Sequence, residues 1–178
     1  MIKNKPRNTN GVRSIQLLMD ALLILLEKKK LVDISISGLT KAAGLVRNTF
    51  YAHFETKEDL LSHCMFSLFE ERLATELEVY GTDNLDLLYF KIWNENKDFL
   101  NLLMDNDLFH LLNRFSDYFD RYLDGVYDEV ACDFSDIALP FVNDIYADVL
   151  ASIVKNWMKY DRQNSPEELC QVFRELVK

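Results

Sequence analysis

Arg47, Asn48, Thr49, Tyr51 and His53 stand within one short stretch, and each can donate a hydrogen bond. Arginine offers a planar fork that fits the O6 and N7 of guanine, and asparagine a donor–acceptor pair that fits adenine. Threonine can touch a phosphate or the methyl of thymine, and Lys57 follows at a distance that suits a phosphate. The chemistry these residues suggest is recognition of a duplex rather than bond breaking. Side chains read a groove only when a rigid element presents them in a row. The preceding residues supply one. Ser35 or Ser37 can cap a short helix that runs through Ala43, and Gly44 can end it in the left-handed conformation. A second short helix is predicted from about Val46 to Phe54. Leu39, Ala42, Ala43, Leu45 and Phe50 are apolar where the two must pack, and the alanines are small enough for a close crossing. Two short helices joined by a tight turn at glycine form a helix-turn-helix pattern.

The rest of the chain reads as helices that position this pair. Residues 1–12 are polar and basic and read as an arm; Lys3, Lys5 and Arg7 suit either an idle tail or a minor-groove contact. From Arg13 to about Lys29, Ile15, Leu18, Leu22 and Leu25 share one helical face. Thr56 caps a long fourth helix that continues through about Tyr80. Gly81 to Asn84 is the best boundary. Beyond it, helices are predicted at about 84–95, 97–105, 107–132, 137–161 and 166–177, with Pro140 in the first turn of its helix or kinking it. The organisation is a head at 1–56, a connecting helix at 57–80 and a helical body at 81–178. Only five glycines and three prolines occur in 178 residues, and the fold class is all-α.

Charge separates the parts. The chain carries −9 overall, yet residues 1–54 hold nine basic and three acidic residues, a net +6 that leaves −15 for the remainder. A basic head on an acidic body points to a polyanion partner for the head alone. Apolar residues are 49% and charged residues 28%, an ordinary globular composition. The run Leu17–Leu26 resembles a signal peptide, but Asp20 interrupts it and three lysines follow where cleavage would need small residues. It is too short to span a bilayer, so a core helix, no membrane partner and a cytoplasmic location are expected. Cys64, Cys132 and Cys170 have no zinc or redox spacing and read as reduced thiols. No phosphate-binding glycine loop, nucleophile elbow or metal-ligand spacing is present. The expectation is no catalytic site, no metal and no cofactor.

Gly44-Leu45-Val46-Arg47-Asn48-Thr49-Phe50-Tyr51-Ala52-His53-Phe54, followed by Lys57 and Leu60, resembles the DNA-binding domain of the TetR family of transcription regulators. The resemblance covers about 50 residues including the first helix. The plan of a three-helix head, a long fourth helix and a variable helical body is similar too. The tail, Trp157 and then Ser165-Pro166-Glu167-Glu168-Leu169, resembles a subgroup that includes activators of dihydroxyacetone kinase operons. The resemblance implies Arg47 and Asn48 at base edges, Thr49, Tyr51, His53 and Lys57 mainly at phosphates, and Ser35 and Ser37 as lesser contacts. Val46 stands where a capping Ser or acidic residue is usual, and Ala52 where a larger side chain often reaches DNA. Phe50 and Phe54 are expected in the core.

The body supplies the other expectations. One recognition helix covers too few base pairs to select a site, so a homodimer is expected. Ile145, Val149, Ile153 and Trp157 form one stripe, with Ala147 and Ala151 small beside it. Leu169, Val172, Phe173 and Leu176 form another, and two such helices per chain would build a four-helix interface. The resemblance also implies a cavity for an effector. Tyr89, Trp93, Phe115, Tyr118, Phe119 and Tyr122 are candidates for its lining, with His110 and Arg114, one helical turn apart, for an anionic ligand; the same rings equally suit a filled core. The function so read is a sequence-specific regulator on double-stranded DNA, controlled by a small-molecule or protein effector. The rival is a helical co-regulator with a degenerate reading head.

Overall fold

The computed structural model describes residues 9–80, 84–117, 139–160 and 163–177. Every regular element among them is helical, as the composition predicts. The chain divides into two compact units, residues 1–67 and 68–178.

In the first unit, α1 (Thr9–Leu26) buries Ile15, Leu18, Met19, Leu22 and Leu26, the three-and-four spacing of an amphipathic helix. It starts at Thr9, earlier than the sequence reading placed it, and takes Gly11 into its first turn. By length and composition α1 would pass for a membrane span. Its apolar stripe is instead packed against α2 (Ile36–Ala42) and α3 (Arg47–His53). A 3-10 turn at Leu31–Asp33 joins α1 to α2 and buries Leu31. Ser35, rather than Ser37, caps α2: its hydroxyl accepts from the Gly38 N–H at 3.0 Å.

α4 (Lys57–Tyr80) begins in the first unit and continues into the second. Its start is a reciprocal cap. The Asp59 N–H donates to the Thr56 hydroxyl and the Thr56 N–H to the Asp59 carboxylate, both at 3.0 Å. Cys64 is buried in α4, and burial pushes its thiol up to about 12.

In the second unit, α5 (Leu85–Glu95) buries Leu88, Tyr89, Phe90, Ile92 and Trp93. Arg72 of α4 ties to α5 through Glu95 at 2.5 Å while also pairing with Glu76 at 3.0 Å. α6 (Lys97–Asp105) ends at Asp107, whose φ of 59° is left-handed. The Leu108 N–H reaches back to the Leu103 carbonyl at 2.8 Å and the Asp107 N–H to Met104 at 3.1 Å, a Schellman closure with aspartate where glycine is usual. Of the helix predicted at 107–132, Phe109–Arg114 is a 3-10 segment and residues 115–117 are α-helical, while 118–138 lies outside the described residues. α7 (Leu139–Lys159) carries Pro140 in its first turn, where its missing N–H costs nothing. α8 (Pro166–Leu176) opens on a full capping box between Ser165 and Glu168 and packs on α5 and α7. Arg174 of α8 grips Asp86 of α5 with two bonds, at 2.6 and 2.8 Å.

Candidate nucleic-acid interface

The turn between α2 and α3 is built by local rules. Gly44 sits at φ 68°, the Leu45 N–H returns to the Thr40 carbonyl at 2.8 Å, and the Gly44 N–H to Lys41 at 3.1 Å. This is the same Schellman closure that ends α6, here with the residue that tolerates the conformation. The turn fixes the exit direction of the chain, and Phe50 and Phe54 fix the roll of α3. Both rings are completely buried, and they lie 5.9 Å apart. With those two facing inward, Arg47, Asn48 and Tyr51 face outward and are exposed.

Among the residues singled out in the sequence, this geometry brings Arg47 and Tyr51 into contact. The Arg47 Nη2 donates to the Tyr51 hydroxyl at 2.9 Å, and its Cζ is 5.3 Å from the ring centroid. Thr49 and His53 are half-buried on the flank of α3. The Nδ1 of His53 is buried without a hydrogen-bond partner among the described residues, and burial lowers the pKa of the ring below its ordinary value. Ser35 and Ser37 are exposed at the start of α2, although Ser35 already spends its oxygen on the cap. Lys57 differs from the others. Its ammonium donates to the Leu31 carbonyl at 2.5 Å and to the Ile34 carbonyl at 2.6 Å, so two of three protons are used inside the head. Val46 caps α3 with no side-chain bond; the Thr49 N–H takes the Val46 carbonyl at 2.9 Å instead.

The residues expected to line a cavity fall into two groups. Tyr89, Trp93 and Phe115 are brought together, with Phe115 5.2 Å from Tyr89 and 6.2 Å from Trp93 between centroids. Phe69 of α4, which sequence reasoning missed, stands among them at 4.5 Å from Phe115. Neither the Tyr89 hydroxyl nor the Trp93 indole N–H makes a hydrogen bond of ordinary geometry to a described residue. Burial drives the Tyr89 hydroxyl well above its ordinary range. Tyr118, Phe119 and Tyr122 lie outside the described residues. His110 and Arg114 stand on the 3-10 segment, where three residues make a turn, so an i,i+4 pair no longer shares a face.

The stripes expected at an interface also divide. Ile153, Trp157, Leu169 and Phe173 are buried within the unit, whereas Ile145 is 58% and Leu176 65% exposed. Between α7 and α8 an open groove of about 430 Å³ is lined by Val149, Ile153, Trp157, Leu169, Val172 and Leu176, with Asp148 and Asn156 among its polar residues.

Residues 85–178 match a family described as a transcriptional regulator C-terminal region of the TetR type. The chain belongs to the TetR family. A relative, the HTH-type dhaKLM operon transcriptional activator DhaS of Lactococcus lactis subsp. lactis (strain IL1403), is 27% identical over 145 residues. These span 77% of this chain and 74% of the relative. The TetR family match falls in the second unit, from α5 onward, and so is independent of the helix-turn-helix residues of the first. A TetR-type transcriptional regulator with an all-α fold is therefore what the sequence, the helices and the comparisons agree on.

Proposed function

We propose that this regulator binds a specific double-stranded DNA site as a homodimer, with α3 of each chain in a major groove. The observation that carries the reading is the outward row of Arg47, Asn48 and Tyr51 on a helix whose roll is fixed by two fully buried phenylalanines. Arg47 and Asn48 supply base contacts; Thr49, Tyr51 and His53, with Ser35 and Ser37, supply the backbone side, and Lys57 adds positive charge. Residues 1–56 form the reading head, 57–80 the connecting helix and 81–178 the regulatory and dimerisation part.

The dimer is supported by the apolar residues that α7 and α8 leave uncovered: Ile145, Val172 and Leu176, together with the groove beside them. Joining two such helix pairs would bury them. Control by an effector would act at the Tyr89, Trp93 and Phe115 box: its rings are buried and in contact, so a ligand would enter by parting them and would then meet the Tyr89 hydroxyl and the Trp93 indole N–H. An effector or a partner protein favours one spacing of the two heads, and site affinity follows.

Enrichment of random duplexes on the full chain at physiological salt tests the reading. One two-fold symmetric site is expected, bound by a species of twice the chain mass in light scattering. Ile145→Glu with Leu176→Glu is expected to give a folded monomer that has lost the site. Enrichment of no sequence above non-specific binding would reject DNA reading in favour of the co-regulator alternative.

A further inference from the structure

We infer that Val46 is a base-reading residue and that its ligand is the 5-methyl group of thymine; this rests on the DNA-reading function proposed above. Val46 opens α3 in extended backbone, φ −92° and ψ 154°, a conformation that suits a β-branched side chain. The position normally favours Ser, Thr, Asp or Asn, whose oxygen accepts an orphan N–H and adds about 1 kcal/mol. Valine has no such oxygen, and the Thr49 N–H falls back on the Val46 backbone carbonyl. The side chain gains no burial in return. It is 69% exposed, while Phe50, four residues on, is completely enclosed. The fold thus forgoes a cap and receives no packing at this position.

Exposed apolar side chains are common and need no explanation one by one. Val12, Ile24 and Val32 are also exposed in this unit, on α1 and the 3-10 turn. Val46 differs by its neighbours: Arg47 and Asn48 follow it directly, at the end of α3 that starts the donor row. The turn before it is open as well: a Cβ built on Gly44 would meet no atom within 4 Å beyond its chain neighbours. Base edges in the major groove present donors, acceptors, the small C5–H of cytosine and one larger apolar group, the C5-methyl of thymine. Pressing valine on a donor or acceptor strips it of water and returns no hydrogen bond, which costs. Pressing valine on the methyl removes two apolar groups from water together. The base pair opposite Val46 is thereby selected for thymine.

The test replaces each thymine of the enriched site, one at a time, by deoxyuridine, which removes the methyl and leaves every hydrogen-bonding group unchanged. At one position in each half-site wild-type affinity is expected to fall about fourfold, the worth of one buried methyl-sized group. In Val46→Ala and in Val46→Ser, which restores a capping hydroxyl, the same replacement is expected to change nothing. Circular dichroism checks that both variants stay folded. If the site is bound specifically and no thymine methyl matters, or if the methyl matters equally in both variants, the Val46 assignment is overturned while DNA reading stands. If no sequence is enriched at all, both are overturned.

Discussion

The Arg47 guanidinium is held from two directions by one residue: Nη2 donates to the Tyr51 hydroxyl at 2.9 Å, and Cζ lies 5.3 Å from the centroid of the same ring. The two are a helical turn apart, so the contact costs no backbone distortion. An arginine with a fixed guanidinium loses less rotamer entropy when it meets a base. Arg47→Ala is expected to lower specific affinity by about 1–3 kcal/mol and to relax discrimination at one base pair. Tyr51→Phe keeps the ring and removes the acceptor, so part of the same discrimination should go with it. Titrating single-base variants of the enriched site against Arg47→Ala, Tyr51→Phe and the double variant checks this. A Tyr51 that only touched phosphate would weaken all sequences equally, and its effect would add to that of Arg47→Ala.

Lys57 is expected to matter twice. Its ammonium satisfies the Leu31 and Ile34 carbonyls, tying the start of α4 to the turn between α1 and α2. Lys57→Met removes the charge and both bonds while keeping the stem. Urea denaturation should show a loss of about 1–2 kcal/mol, in the range for hydrogen bonds from a charged donor that is partly solvated. Binding to all DNA sequences should weaken together, and the salt slope should flatten by about one unit at most. Unchanged stability would mean that the ammonium does not hold the two carbonyls in solution.

This lysine marks the limit of what the sequence could tell. The α2–α3 turn was legible because everything that makes it is local: a cap, a glycine and two aromatic residues at helical spacing. The partners of Lys57 lie 23 and 26 residues away, and no spacing rule reaches them. The same holds for Phe69, which joins the Tyr89–Trp93–Phe115 box from another helix. Periodicity found the stripe Ile145, Val149, Ile153 and Trp157, but could not say that its last two residues pack within their own unit while Ile145 stays exposed. Nor could it separate an α-helix from the 3-10 segment at Phe109–Arg114, because apolar residues recur at nearly the same interval in both.

The turn before that segment holds Asp107, whose left-handed φ of 59° carries a strain that glycine would not. Both Schellman bonds there come from backbone N–H groups, so they survive a change of side chain. Asp107→Gly is expected to stabilise the chain by about 0.5–1 kcal/mol, the relief of strain being partly offset by the greater freedom of glycine when unfolded. Asp107→Val should do the opposite, since a β-branched residue fits that conformation worst. Equal melting temperatures for the glycine variant, the valine variant and the wild type would show that the turn relaxes without cost.

The Asp86–Arg174 pair gives the second unit an acid-sensitive tie between α5 and α8. Partial burial would raise the Asp86 pKa, but hydrogen bonds from Arg174 and the Leu87 N–H outweigh it, and the folded value lies below the ordinary one. The stability this contributes is fully present above the unfolded carboxylate value, near pH 4, and is lost as the pH falls from there through the folded value. Asp86→Asn is expected to reduce stability at neutral pH and to flatten the loss below about pH 4. Cys170 packs beside this carboxylate, and its thiol is pushed up to about 11, first by burial and then by Asp86. Thiol reagents should therefore modify native Cys170 slowly at pH 7 and faster once the pair is broken. Unfolding curves from pH 3 to 7 that run parallel in wild type and Asp86→Asn would rule out the tie.

Tyr89 decides what the aromatic box is for. Its ring is packed against Phe69, Trp93 and Phe115, yet its hydroxyl is buried without a hydrogen bond of ordinary geometry among the described residues. A buried hydroxyl left in that state costs about 1–3 kcal/mol, and Trp93 beside it carries a second such group. Tyr89→Phe keeps every ring contact and deletes only the oxygen. The ligand-free protein is expected to gain about 1–2 kcal/mol of stability, read from denaturant midpoints at constant slope. Trp93→Ala is expected instead to lose about 3–5 kcal/mol, because it empties the centre of a filled cluster. If the two polar groups serve an effector, the stabilised Tyr89→Phe should bind the enriched DNA site as wild type does while losing its response to that effector, stability gained at the expense of control. A Tyr89→Phe variant less stable than wild type would mean that the hydroxyl already has a partner inside the fold, and the box would then be core and nothing more.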